Sequence, residues 1–114
     1  MQTFFIFGSM TVGFDYDQTL TEYKMQQLAK KFILAKCDVW IITSRREGDH
    51  NKDLFNILKK IGLPPQKVIF TDGESKVQFV AAINADLFFD NDQYECDIIN
   101  SFTGFCAVRY NQIK

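Results

Sequence analysis

The chain has 114 residues, of which 46% are hydrophobic, 15% aromatic and 24% charged, with 12 Phe and a formal net charge of -1. A chain of this length buries roughly 65% of its unfolded surface, enough for one core and not for two, and its composition excludes disordered, collagenous and coiled-coil classes. Residues 1–114 are therefore read as a single domain. The near-balance of 13 Lys plus Arg against 14 Asp plus Glu supplies no broad field for nucleic acid, so any phosphate contact must be local. No apolar run approaches the roughly 18 residues of a membrane helix, and no signal pattern opens the chain, so a cytoplasmic protein with no membrane partner is expected. Cys37, Cys96 and Cys106 are odd in number and widely spaced, with His50 the single histidine. They support neither a disulfide framework nor a CxxC zinc site, and three buried reduced thiols are expected.

Short apolar runs alternate with stretches of helical period, the pattern of a parallel sheet covered by helices. Residues 4–7 and 12–14 read as strands, and Gly8-Ser9 between them reads as a hairpin turn or as a cloning remnant before Met10. From Tyr23 the residues Met25, Leu28, Ala29, Phe32 and Ile33 follow a helical spacing, and residues 39–42 form a buried-strand run. Leu54, Ile57, Leu58 and Ile61 repeat the helical spacing up to Gly62 and Pro64-Pro65, with a strand at 68–70. Residues 75–84 form a third helix with Val77, Val80 and Ala81 inward, followed by a strand at 87–89, a helix at 94–102 and a last strand at 105–108. The expected fold is α/β: a three-layer, doubly wound parallel sheet with a possible extra N-terminal hairpin strand.

Such sheets place their sites beyond the carboxyl ends of the strands. The polar residues there are Asp15 and Asp17 after the first core strand, Thr43 and Ser44 after the second, and residues 90–92 after the fourth, with Lys76 opening the third helix. Carboxylates crowded onto one edge repel one another and need a cation, and an all-oxygen set with few ligands suits Mg²⁺. A hydroxyl, a lysine and Mg²⁺ facing an aspartate are the parts needed to hold a phosphoryl group during transfer to a carboxylate. A calcium loop does not fit either acidic segment. Leu20 and Gln26 stand where the first would need glycine and glutamate, and Glu95 and Ser101 where the second would.

The segment Gly13-Phe14-Asp15-Tyr16-Asp17-Gln18-Thr19-Leu20-Thr21 resembles the opening DxDxT motif of the haloacid dehalogenase-like (HAD) phosphatase superfamily. Ile41-Ile42-Thr43-Ser44-Arg45 resembles its second motif, Lys76 its third, and Leu87-Phe88-Phe89-Asp90-Asn91-Asp92 its acidic fourth. The resemblance implies a Rossmann-like core and a phosphohydrolase working through an aspartyl-phosphate. It makes Asp15 the nucleophile, Asp17 the general acid and base, Thr43 a phosphoryl-oxygen donor and Lys76 the charge-balancing cation. Mg²⁺ would be held by Asp15, Asp90 and the backbone carbonyl of Asp17. Two positions depart from the pattern: Gln18 where the superfamily commonly has glycine, and Asn91 where many members have a second aspartate.

The intervals between Asp17 and Thr43 and between Thr43 and Lys76 are filled by core elements, so no cap domain is expected and the site should be open. An open site suits the phosphorylated end of a polymer or a phosphoprotein; the substrate is expected to be a phosphomonoester such as a nucleic-acid end or a nucleotide, with a 3′-phosphorylated oligonucleotide preferred over the matching mononucleotide. Ser44, Arg45 and Arg46, directly after Thr43, are the candidate substrate contacts, and their sequence resembles the phosphatase domain of polynucleotide kinase-phosphatases. In the alternative reading that loop is a solvated connection, with Asp49 or Asn51 capping the next helix and His50 on the surface. Two competing functions remain: a receiver-like phospho-signalling domain, which would need its lysine after the last strand, and a phosphatase-like fold that binds a partner with little turnover. The surplus of Phe would allow a face for a homo-oligomer.

Overall fold

The computed structural model describes residues 10–102 and 106–109. Five strands, β1 (Thr11–Phe14), β2 (Asp38–Thr43), β3 (Val68–Phe70), β4 (Leu87–Asp90) and β5 (Cys106–Arg109), form one parallel sheet in the order β3-β2-β1-β4-β5. Helices α1 (Tyr23–Leu34), α2 (Lys52–Ile61), α3 (Val77–Ala82) and α4 (Gln93–Phe102) connect them, with helical turns at Tyr16–Leu20 and Pro65–Lys67. The chain winds outward from β1 to β3, then crosses to the other side of β1 for β4, which makes the ends of β1 and β4 the topological switch point. A receiver domain has the flavodoxin-like order 2-1-3-4-5, so the observed order excludes that alternative.

Strand alternation sorts the core into two layers. Val12, Phe14, Val39, Ile41 and Phe89 pack with Met25 and Ala29 of α1 and Leu54, Leu58 and Ile61 of α2. Ile42, Phe88 and Ala107 pack with Val80 of α3 and Cys96 and Ile99 of α4. Burial on both faces is why the strands read as nearly continuous apolar runs. Gly13 is where the sheet needs no side chain: a Cβ there would stand 2.9 Å from Cδ1 of Phe88. Helix α2 ends in Gly62 at φ 82°, the left-handed conformation that glycine adopts without a steric cost.

Several expectations shift. The third helix is shorter than 75–84: Lys76 is its N-cap, and Asn84 at φ 55° turns the chain out. Its inward residues are Val80 with partly buried Val77, Phe79 and Ile83, while Ala81 faces solvent. The spacing from Val77 to Val80 to Ile83 keeps one side against the sheet, and Ala81 falls off that line. The last strand begins at Cys106 and the last helix at Gln93, one residue from the expected ends. Cys96 is a buried thiol, but Cys37 is only half-buried, and the Cys106 side chain lies outside the described residues, as do the 4–7 strand and its Gly8-Ser9 turn. Among the described residues no helix is long and apolar enough to cross a membrane.

Candidate active site

The Asp15 amide donates to the Phe89 carbonyl at 2.8 Å, so the ladder between β1 and β4 continues one residue past β1 and holds Asp15 beside Asp90. Both carboxylates are buried, at 4% and 0% exposure, and Lys76 at 6% comes in from the start of α3 to bridge them. Its Nζ donates to Asp15 Oδ1 at 2.6 Å and to Asp90 Oδ2 at 3.0 Å. Thr19 Oγ1 donates to Asp15 Oδ2 at 3.1 Å, and the Asp92 amide donates to Asp90 Oδ1 at 3.0 Å. Burial and the Asp90 charge raise the Asp15 carboxyl well above the usual carboxylate range, against the lowering effect of Lys76. Burial alone would lower the Lys76 ammonium, but Asp15 and Asp90 outweigh it and hold it above its ordinary value. The buried set thus carries two carboxylates and one cation. The negative charge left on the two carboxylates, whose oxygens are hard donors, fits a small hard divalent cation.

The Asp17 side chain does not join that set. Among the described residues no three Asp, Glu, His or Cys side chains gather as a metal cluster. The Asp17 carboxylate turns outward to Arg45, whose Nε and Nη2 donate to Oδ2 and Oδ1 at 3.0 and 2.8 Å. Between Asp17 and Thr19 the chain passes through Gln18 at φ 60°, the left-handed conformation that explains the glycine expected there. The Gln18 amide lies 3.0 Å from that of Asn91. With its nitrogen turned inward, Asn91 donates to Asp15 Oδ2 at 3.1 Å and to Asp90 Oδ1 at 3.2 Å. The two departures from the superfamily pattern are thus in contact, and Asn91 supplies a donor where an aspartate would add charge.

Thr43 is fully buried at the end of β2, and its hydroxyl accepts from the Arg45 amide at 3.3 Å. β1 and β2 pair Phe14 with Ile41, which brings Thr43 to the same edge as Asp15. Ser44 is exposed, with its carbonyl accepting from the Gly73 amide at 2.9 Å. Arg46 is exposed and pairs with Asp72 at 3.1 Å. His50 is on the surface, and Asn51 stands at the N-cap of α2, but its Nδ2 donates backwards to the Arg46 carbonyl at 3.0 Å instead of capping the helix. Beside this loop lies an open groove of about 490 Å³ lined by residues from Gly48 to Asp53 and by Phe55.

Sequence reasoning did not single out Tyr16, Thr19 as a partner of Asp15, Asp53 or Glu95. Asp53 accepts from Arg45 Nη1 and Nη2 at 2.8 and 3.0 Å and from the Tyr16 hydroxyl at 3.2 Å. Glu95 Oε1 accepts from the Lys76 amide at 3.3 Å and Oε2 from the Ser75 hydroxyl at 3.2 Å, which ties the start of α3 to α4. Acidic residues in a first helical turn were to be expected for the helix dipole alone, so nothing marked Asp53 or Glu95 as partners across the fold.

A model of the 5′-nucleotidase family matches residues 14–114, from the last residue of β1 through every strand end described above. The chain belongs to the 5′-nucleotidase family. This family is of the HAD-like phosphatase type and generally metal-dependent, so the chain is a phosphoric monoester hydrolase. No curated protein matches the sequence.

Proposed function

We propose that the protein hydrolyses nucleoside 5′-monophosphates through a covalent aspartyl-phosphate on Asp15. The observation that carries this reading is the buried Asp15, Lys76 and Asp90 set at the meeting of β1 and β4, with contacts of 2.6 and 3.0 Å and one cation for two carboxylates. An Asp15 oxygen attacks phosphorus and the bond to the nucleoside oxygen breaks, while Asp17 gives that oxygen its proton. Asp17 then takes a proton from water as the water oxygen attacks phosphorus, which releases phosphate and returns Asp15 to its carboxylate. Thr43 donates to phosphoryl oxygens, and Lys76 keeps Asp15 from being repelled by Asp90 and the substrate. Mg²⁺, held by Asp15, Asp90 and the Asp17 carbonyl, would offset charge between the carboxylate nucleophile and the phosphoryl dianion.

The nucleotide assignment rests on the family, and the groove lined by residues 48–53 and Phe55 offers the nucleoside a place. Ser44 and Arg46, exposed at the end of β2, are the proposed contacts to the rest of the substrate. The test is phosphate release with Mg²⁺ from nucleoside 5′-monophosphates, a 3′-phosphorylated oligonucleotide and a phosphopeptide. Asp15→Asn and excess chelator should each abolish release, and the mononucleotide should give the highest kcat/KM. Turnover by Asp15→Asn would refute the mechanism, and preference for the oligonucleotide would move the substrate to a nucleic-acid end.

A further inference from the structure

Arg45 was expected to contact substrate, but its five N–H donors are directed elsewhere. Nε and Nη2 fork onto the two oxygens of Asp17 at 3.0 and 2.8 Å, and Nη1 and Nη2 bind Asp53 at 2.8 and 3.0 Å. Nη1 also faces the His50 carbonyl at 3.4 Å and Asn51 Oδ1 at 3.5 Å. The guanidinium lies over the Tyr16 ring, 4.8 Å from its centre, and the Tyr16 hydroxyl donates to Asp53 Oδ2 at 3.2 Å. To bind a phosphate, Arg45 would have to release a carboxylate that it already holds bidentately.

We infer that Arg45 is the positioning residue for Asp17, with Asp53 and Tyr16 fixing Arg45 in turn, an inference that rests on Asp17 serving as the general acid. The Asp17 side chain is 49% exposed, and free in solvent it would move among several rotamers. A general acid must stand within hydrogen-bond reach of the leaving oxygen, so orientation is what it needs most. A carboxylate has about four lone-pair sites, and Arg45 uses one on each oxygen. The others remain for the proton and the leaving group.

The expected signature separates positioning from substrate binding. General acid catalysis is worth roughly 10²- to 10⁴-fold on a poor leaving group. Arg45→Ala and Arg45→Lys should therefore each lower kcat on a nucleoside 5′-monophosphate by about 10- to 100-fold, with KM changed less than about 2-fold, because lysine keeps the charge but not the fork. On p-nitrophenyl phosphate, whose leaving group needs no proton, the same variants should lose less than about 3-fold in kcat/KM, which covers the steps up to departure of the leaving group and not the later attack of water, where Asp17 serves both substrates alike. Asp53→Asn should give a smaller loss with the same substrate dependence, and Asp17→Asn combined with Arg45→Ala should be no slower than Asp17→Asn alone. Folding is not at stake: Asp17 and Asp53 are 49% and 55% exposed, so removing Arg45 strands no buried charge. A raised KM with kcat kept, or equal losses of kcat/KM on both substrates, would overturn the inference while Asp17→Asn still showed its leaving-group dependence in kcat/KM. If Asp17→Asn itself lacked that dependence, the general-acid reading and this inference would fall together.

Discussion

Replacing Lys76 by Met keeps the volume of the side chain and removes the one cation between two buried carboxylates. The Lys76, Asp15 and Asp90 side chains are only 7%, 6% and 0% exposed, so solvent cannot take over the role of the ammonium. Breaking such a buried pair costs roughly 3 to 5 kcal/mol. The protein has one escape, which is to protonate Asp15, the carboxyl that burial and Asp90 already push upward. From an unfolded value of about 3.9, holding that proton costs about 1.4 kcal/mol per pH unit, hence about 5.7 kcal/mol at pH 8 and about 0.8 kcal/mol at pH 4.5. The sign follows: a carboxyl raised in the fold contributes stability below its unfolded value and loses it as pH rises. Lys76→Met should therefore be less stable than the parent by about 3 to 5 kcal/mol at pH 8 and by about 1 kcal/mol at pH 4.5. Urea unfolding without added metal, followed by the fluorescence of Trp40, measures both. Adding Asp90→Asn should return most of the loss at pH 8. Equal deficits at the two pH values, or none at pH 8, would show that Lys76 is not the counter-charge.

Gly13→Ala forces a methyl to within 2.9 Å of the Phe88 ring in the middle of the sheet, and should cost about 1 to 3 kcal/mol in the same assay. No loss would mean that the close approach of Phe88 is not what requires glycine. Tyr16 is raised to about 12 by burial and Asp53, and Cys96 to about 12 by burial and Asp90. The fold holds these protons beyond the ordinary values of about 10 and 9, so stability should fall as pH climbs from about 9 to 12. Tyr16→Phe should flatten the part above pH 10, and a melting temperature that is level across the range would contradict it.

The site's buried half was legible because all of its residues but Lys76 sit at strand ends. Asp15 follows β1, Thr43 ends β2 and Asp90 ends β4, and a parallel sheet brings such positions to one edge whatever the loops do. Charge balance called for a cation, and Lys76 was singled out by its place at the start of the third helix and by its likeness to the superfamily's third motif. The Arg45, Asp53 and Tyr16 arrangement could not be anticipated, because it joins the turn after β1, the loop after β2 and the first turn of α2, and no periodicity relates those places. An arginine two residues after a threonine expected to hold phosphate reads as a substrate contact until its carboxylate partners are seen. Ala81 was misplaced for another reason: in a helix as short as Val77–Ala82, one residue's slip changes which side is inward.

The sheet order also divides the site mechanically. Asp15 and Asp90 stand on adjoining strands with β2 and β5 on either side, so their backbone opens to solvent only when the sheet itself does. Ser44 and residues 46–50 are exposed and cross the edge as a loop. Amide exchange should accordingly be slowest at Phe14, Asp15 and Phe89 and fastest through 46–50, a gradient across a single site. Under the proposed function, sequence change can therefore accumulate in the loop assigned to substrate at little expense to the strands that carry Asp15 and Asp90, which leaves specificity free to drift while the proposed bond-breaking residues stay fixed.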